Sequence, residues 1–251
     1  MNFRELHFQE KPLLIGNVWD VGSAKAFEKA GFSALGTSSA AIAHSLGYED
    51  GEQMSFDELL FIVKRIRAAT TLPLSVDVEA GYAENSADII SNIERLYELG
   101  ITGINIEDSL SDGKRTLLSI DHFVPTLKAI SDYLKSGSID MFLNVRTDAF
   151  LLGLPNALQE SELRASAYRE AGADGLFVPG ITAESDIAAI VNSAQLPVNV
   201  MAMPNLPNFE ILTELGVKRI SMGNFPHAAL FNSFDSILKT ILSDNSFASI
   251  T

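Results

Sequence analysis

The chain has 251 residues, of which 47% are apolar and 20% charged, and its formal net charge is -14 at pH 7. That length suits one large domain or one closed α/β barrel, so a single domain over residues 1–251 is the expectation. The negative charge disfavours nucleic acid and anionic lipid as partners, which need a positive field, and the absence of cysteine excludes disulfides, thiolate metal sites and cysteine nucleophiles.

The opening residues, MNFRELHFQEKP, alternate charged and apolar side chains and lack the continuous apolar stretch of a secretory signal. No apolar run approaches the roughly 18 residues of a membrane span. A cytoplasmic protein is therefore expected. From there, strand-like runs rich in β-branched residues alternate with stretches of helical period: LLIGNVW then SAKAFEKAG, SALGTSS, FDELLFIVKRIRAAT, LPLSVDVE, SADIISNIERLYELG, GINIE, HFVPTLKAISDYLKSG, DMFLNVR, LQESELRASAYREAG, GLFVPG, ESDIAAIVNSA, LPVNVMA, FEILTELG and RISMGN. Near-continuous apolar strands suit a parallel sheet covered on both sides. Glycine closes several helices just before the next strand, as in KAGF, ELGI and ELGV, where a left-handed cap is needed. Eight such units predict a (β/α)8 barrel. The rival, an open doubly wound sheet, lacks its glycine-rich phosphate loop after the first strand.

A barrel places its active site where the strands end, and polar residues gather there. Ser38 and Ser39 end the second run, Asp77 and Glu79 the third, Glu107 and Asp108 the fourth, and Arg146 with Asp148 the fifth. Asp77 and Glu79 are two apart, which in a continuous strand puts both on one face. Any one of these acids could instead cap the following helix. Three carboxylates on neighbouring strands repel one another unless they are protonated or joined by a cation. Oxygen ligands without histidine or cysteine favour a hard ion, Mg2+ or alternatively Mn2+. Arg146 suits either a counter-ion to these acids or a clamp on a substrate carboxylate. The small, hydroxyl-rich turn after the second run offers amides and serines to an anion, or simply starts a helix. His44 follows it, and Trp19 ends the first run as a pocket wall or core residue. His227 begins the last helix, in a capping, packing or catalytic role. That final stretch, FPHAALFNSFDSILKTILSD, is apolar on more than one face and suits packing on a neighbouring subunit or on its own barrel.

In this order, NVWDVGSAKAFEKAGF, GTSSA, LGYEDGE, DVEAGY, NIEDS and NVRTDAF resemble the isocitrate lyase and phosphoenolpyruvate mutase superfamily across nearly the whole chain. The resemblance implies a (β/α)8 barrel, Mg2+, small 2-oxo or 2-hydroxy acid substrates, and homo-oligomers, commonly tetramers that exchange the last helix. It implies that Asp77, Glu79 and Glu107 hold the metal directly or through water. Ser38 and its neighbouring amides would bind the substrate carboxylate, while Ser39, Trp19 and His44 are read from their positions as further substrate-binding candidates. Arg146 would balance negative charge, and Asp50 would orient a metal-bound water. The implied chemistry stabilises a pyruvate-like enolate.

Two departures bear on the reaction. The family's aspartate-x-aspartate is here Asp77-Val78-Glu79, one methylene longer at its second acid. The segment DSLSDGKRTLLSIDHF after Glu107 is several residues shorter than the family's gating loop, and no cysteine can serve as the lyase acid or base. Cleavage of isocitrate or methylisocitrate by the family mechanism is thus disfavoured. Lys114, Arg115 and Thr116 in the shortened loop read as a solvated turn or as contributors to the site. The leading expectation is a Mg2+-dependent carbon-carbon lyase or decarboxylase acting on an oxaloacetate-like acid. The alternatives are phosphonopyruvate-type carbon-phosphorus chemistry and a metal-dependent 2-oxo acid binder without turnover.

Overall fold

A computed structural model describes residues 2–251. A short 3-10 turn (Glu5–Phe8) leads into β1 (Leu13–Val18), followed by α1 (Val21–Lys29), β2 (Ala34–Thr37), α2 (Ser39–Leu46), α3 (Phe56–Arg67), β3 (Leu74–Asp77), α4 (Ser86–Glu98) and β4 (Gly103–Glu107). Next come β5 (Ser109–Asp112), β6 (Lys114–Leu117), α5 (Ile120–Ser136), β7 (Phe142–Arg146), α6 (Ala157–Ala171) and β8 (Gly175–Phe177). The chain finishes through α7 (Glu184–Ala194), β9 (Val198–Met201), α8 (Phe209–Glu214), β10 (Arg219–Ser221) and α9 (Phe225–Asp244).

Eight parallel strands close into a barrel in the order β1-β10-β9-β8-β7-β4-β3-β2. It is the expected (β/α)8 architecture, and all eight expected strand runs take part. Local chemistry fixes the helices. In α3, Ser55 and Glu58 form a reciprocal capping box, while Phe56, Leu59, Val63 and Ile66 supply the buried stripe. The glycines anticipated at helix ends adopt the left-handed conformation, as at Gly31 (φ 91°) and Gly100 (φ 77°). Strand residues such as Ile15, Leu35, Val76, Ile104, Val145, Leu176 and Val200 are fully buried.

The N-terminal ends of the strands are sealed by the opening segment. Phe3, Leu6, Leu13, Ile15, Ala34 and Phe142 form a separate apolar cluster there. The His7 ring stacks on Phe142 with centroids 3.9 Å apart, and its Nδ1 donates to the Phe3 carbonyl at 2.9 Å. This leaves the opposite end as the open one.

Two elements add to the eight β-α units. Residues 39–46 form a helix of their own, because Ser38 is spent as its N-cap, its hydroxyl accepting from the Ala41 amide at 3.4 Å. The shortened segment after Glu107 is an antiparallel hairpin, β5 with β6, standing over the rim. Finally, α9 buries only His227 of its own residues, while Leu230, Phe231, Phe234, Leu238 and Leu242 remain exposed. Among the described residues no helix is long and apolar enough to cross a membrane.

Candidate active site

At the C-terminal ends of the strands, a cavity of about 190 Å³ opens among Ser38, Ser39, Asp50, Asp77, Asn105 and Arg146. That volume lies below the range usual for drug-sized ligands, so the cavity suits a small acid and not a nucleotide. Asp77 sits at the end of β3 with its Oδ2 accepting from the Ser39 hydroxyl at 2.9 Å. Its Oδ1 is buried without a partner. Burial raises the Asp77 pKa against the pull of Arg146 and Ser39.

Glu79 does not share the face of Asp77. The strand ends at Asp77, and Glu79 takes a left-handed backbone (φ 48°), which breaks the alternation that the two-residue spacing assumed. Its carboxylate accepts from the Glu52 amide at 2.9 Å and the Tyr82 hydroxyl at 2.6 Å. With Glu107 it lines a second cavity of about 250 Å³ beneath the hairpin. Burial pushes the Glu79 pKa up to about 8, with the charges of Asp50, Asp77 and Glu107 adding to the shift.

Glu107 is clamped by two guanidinium groups, with Arg115 on one oxygen and Arg146 at 2.9 Å from the other. The Arg146 contact lacks the alignment of a hydrogen bond, so Oε2 keeps unused acceptor capacity. Burial, with Asp148 and Asp77 nearby, still lifts Glu107 to about 7 despite both arginines. Arg146 spends its remaining donors on Asp148, at 2.6 and 3.0 Å. Arg115 reaches Asp148 at 3.2 Å and Asp50 at 3.1 Å. Five carboxylates (Asp50, Asp77, Glu79, Glu107 and Asp148) thus meet two cations at one rim. Among the described residues, no three acids or histidines converge on a single point as a ready metal cage. The three acids proposed as ligands from the sequence are therefore divided, with only Asp77 among them lining the first cavity.

Arg115 is the residue that the sequence undervalued. A solvated turn was the simpler reading of its segment, yet its side chain is only 16% exposed and ties the hairpin to three acids. The loop carrying Asp50 closes against the same hairpin. Gly51 has φ 109°, and a Cβ there would lie 2.4 Å from Ser111 Cβ, so only glycine allows the two to meet. Asp108 proves to be a strut. Its Oδ2 accepts from Arg164 at 2.9 Å and Tyr168 at 2.6 Å, and its backbone carbonyl accepts from the Leu118 amide where the hairpin ends.

Trp19 and His44, expected near substrate, are not among the cavity residues. Trp19 packs edge-to-face on His227 with centroids 4.9 Å apart, and His44 is exposed, against His227 and Phe231. Their site is the seam between α9 and the barrel. His227 takes the packing role. Ser38 and Ser39 do line the cavity, but as helix cap and as Asp77 partner.

Comparison with known proteins decides the lineage. Residues 3–242 match the phosphoenolpyruvate phosphomutase family. The chain belongs to this family. It is similar to the uncharacterised protein Rv1998c of Mycobacterium tuberculosis, with 34% identity over 91% of this chain and 84% of that one. A proposed phosphonomutase of Burkholderia cenocepacia J2315 shares the fold at a TM-score of 0.89, with 38% identity, covering 94% of this chain and 97% of that one. An oxaloacetate decarboxylase of Bradyrhizobium sp. is 29% identical over 90% of this chain and 78% of its own length. As a phosphoenolpyruvate phosphomutase family member, the chain sits among enzymes of both carbon-carbon and carbon-phosphorus chemistry.

Proposed function

We propose that the protein is a cytoplasmic, Mg2+-dependent enzyme that cleaves a carbon-carbon bond in a small, oxaloacetate-like 2-oxo acid, as a lyase or decarboxylase. The observation that carries this reading is Asp77, whose buried Oδ1 has no partner, in the lining of a cavity sized for a short acid. Its donor chemistry fits Mg2+, which binds through one or two carboxylates and keeps several waters. Asp77 would hold the ion directly, and Glu79 and Glu107 through water. When bound, the ion supplies a Lewis acid for the oxygen that gains charge as the bond breaks.

The chain's own residues do the rest. Ser39 turns the Asp77 carboxylate so that one oxygen is left for the cavity. The amino end of α2, with Ala40 at the cavity, offers amides to the substrate carboxylate. Arg146 holds Glu107 and Asp148 apart from the substrate and adds a fixed positive charge beside it. Arg115 and the hairpin cover the rim, excluding water without a loop-borne acid. Decarboxylation suits such a site, since it needs an electron sink more than a proton donor. The exposed apolar face of α9 supports a homo-oligomer, dimer or tetramer, in which a neighbour covers it.

The test is a panel of 2-oxo and 2-hydroxy acids, oxaloacetate and phosphonopyruvate included, assayed with and without Mg2+. The expected result is oxaloacetate turnover that chelation removes and Arg146→Ala abolishes. Likeness to a proposed phosphonomutase favours a second reading, which phosphonopyruvate turnover in the same panel would establish. Metal-dependent acid binding without turnover of any acid would replace both with a sensor.

A further inference from the structure

Below the cavity, where barrels of this kind usually pack branched apolar side chains, this one is polar. Asn17 of β1, Asn105 of β4, Asn144 of β7, Asn199 of β9 and Arg219 of β10 are all buried. Arg219 is the largest of the fully buried side chains, and its Nε and Nη1 have no partner. Burial lowers its pKa to about 10, with the Asp77 charge opposing the shift, so it stays charged at neutral pH. Its one side-chain hydrogen bond runs from Nη2 to Asn105 Oδ1 at 3.3 Å.

That bond decides which way Asn105 faces. The same Oδ1 also accepts from Asn144 Nδ2 at 2.9 Å. Asn144 cannot reverse, because its Nδ2 also donates to Asn199 Oδ1 at 3.1 Å, and Asn199 Nδ2 is fixed by the Val200 carbonyl at 2.7 Å and Ser221 Oγ at 3.1 Å. With its oxygen claimed twice from within the barrel, Asn105 turns its amide nitrogen to the cavity it lines. No acceptor among the described residues takes those N–H groups. Three of the other polar side chains there are committed. Asn17 accepts from the Met222 amide at 2.7 Å and donates to the Thr37 carbonyl at 3.3 Å, Ser39 donates to Asp77, and Arg146 is held by Asp148 and Glu107. Asp77 and Asn105 stand opposite each other in the β3–β4 register. The lining therefore sets the unpartnered acceptor of Asp77 beside the unpartnered donor of Asn105.

Solvation by a lone water would satisfy the Asn105 amide, but would leave the charged, half-satisfied Arg219 behind it without a purpose. The geometry points to Asn105 as a substrate-contact residue, its amide donating to an anionic or carbonyl oxygen of the bound acid, with Arg219 as the positioning residue that fixes the amide's direction. This rests on the proposed 2-oxo acid site and adds to it a donor opposite the carboxylate that receives the cation. It assigns the site a preference for ligands with a second oxygen anion or carbonyl within reach of Asn105.

The test uses oxalate as probe, a planar dianion shaped like the enolate of pyruvate, titrated calorimetrically into the full chain at saturating Mg2+. Asn105→Ala is expected to weaken oxalate binding by about 10- to 100-fold, the range for a lost hydrogen bond to a charged group. Asn105→Asp should weaken it further by facing oxygen to oxygen, while its new ion pair with Arg219 keeps the thermal midpoint at or above that of the wild type. Arg219→Met should weaken binding too, and the double variant with Asn105→Ala should be no weaker than Asn105→Ala alone, since both act through one amide. Should Arg219→Met not fold, Arg219→Lys takes its place and is expected to retain most of the affinity. Wild-type affinity in both Asn105 variants would overturn the contact, and losses that multiply in the double variant would overturn the positioning role. A wild type that binds no oxalate would instead overturn the 2-oxo acid reading on which both depend.

Discussion

At the N-terminal end of the barrel, His7 lies against Phe142 and burial drives its pKa down to about 3, so the ring remains neutral. At the C-terminal end, five carboxylates share one rim with Arg115 and Arg146, and burial raises Asp77, Glu79 and Glu107. One end thus buries its polar group by neutralising it and packing it in apolar surroundings. The other crowds ionisable groups whose charged forms burial disfavours beside two guanidinium groups, which is the expected mark of a working site. Stability and function are divided between the ends, as barrels generally divide them.

The largest effect that would sharpen this contrast is at Asp77. Asp77→Asn is expected to reduce Mg2+-dependent oxalate affinity at least about 100-fold, in line with losses seen when metal-site residues are altered. Because burial already disfavours its charge, the same change should leave the thermal midpoint equal or higher. A lowered midpoint with intact binding would break the division. Phe142→Ala should behave in the opposite sense. Losing this fully buried ring at the closed end should cost about 3–5 kcal/mol in urea unfolding, with the oxaloacetate kcat of the folded protein unchanged. Arg115→Met falls between the two. It strips Glu107, Asp148 and Asp50 of one partner and should lower stability by about 1–3 kcal/mol, while raising the oxaloacetate KM through a looser hairpin.

The two titrations run in opposite directions. Unfolded His7 takes up a proton near pH 6.5 but the buried ring resists until about 3, so its share of stability is lost as pH falls across that window. His7→Phe should flatten that acid limb. Glu79 behaves inversely. Its folded pKa of about 8 exceeds its ordinary 4.5, so its contribution is full below 4.5 and is lost as pH rises through 8. Glu79→Gln should flatten this alkaline limb in metal-free protein. Denaturant midpoints of both variants from pH 3 to 9 check the pair, and parallel slopes would contradict the contrast.

The barrel itself was legible because its signals are local and repeated. Alternating periods, glycine caps and apolar strands each act within a few residues, and together they fix eight units. The position of Asp77 and Arg146 at strand ends followed from the same regularity. What failed was reasoning that extended strand geometry past the strand. Glu79 lies two residues after Asp77 yet faces elsewhere because its backbone turns left-handed, a change with no glycine to announce it. Trp19 and His44 were drawn toward the site by sequence adjacency, whereas contacts with α9, nearly 200 residues away in the chain, hold them outside it. Arg115 was undervalued and Asn105 escaped notice for a related reason. Their roles depend on partners from four different strands and loops, and no spacing within one segment encodes such a meeting.

The central claim is that the charged rim is a Mg2+-assisted site for a small 2-oxo acid. Its most direct test is pyruvate release from oxaloacetate by the wild type and Asp77→Asn, each with Mg2+ and with chelator. The account predicts release by the wild type with Mg2+ alone, and loss of that release in Asp77→Asn at undiminished thermal stability. Release that ignores both chelation and Asp77 would contradict it, as would a folded wild type that neither converts nor binds the acid in the presence of the metal.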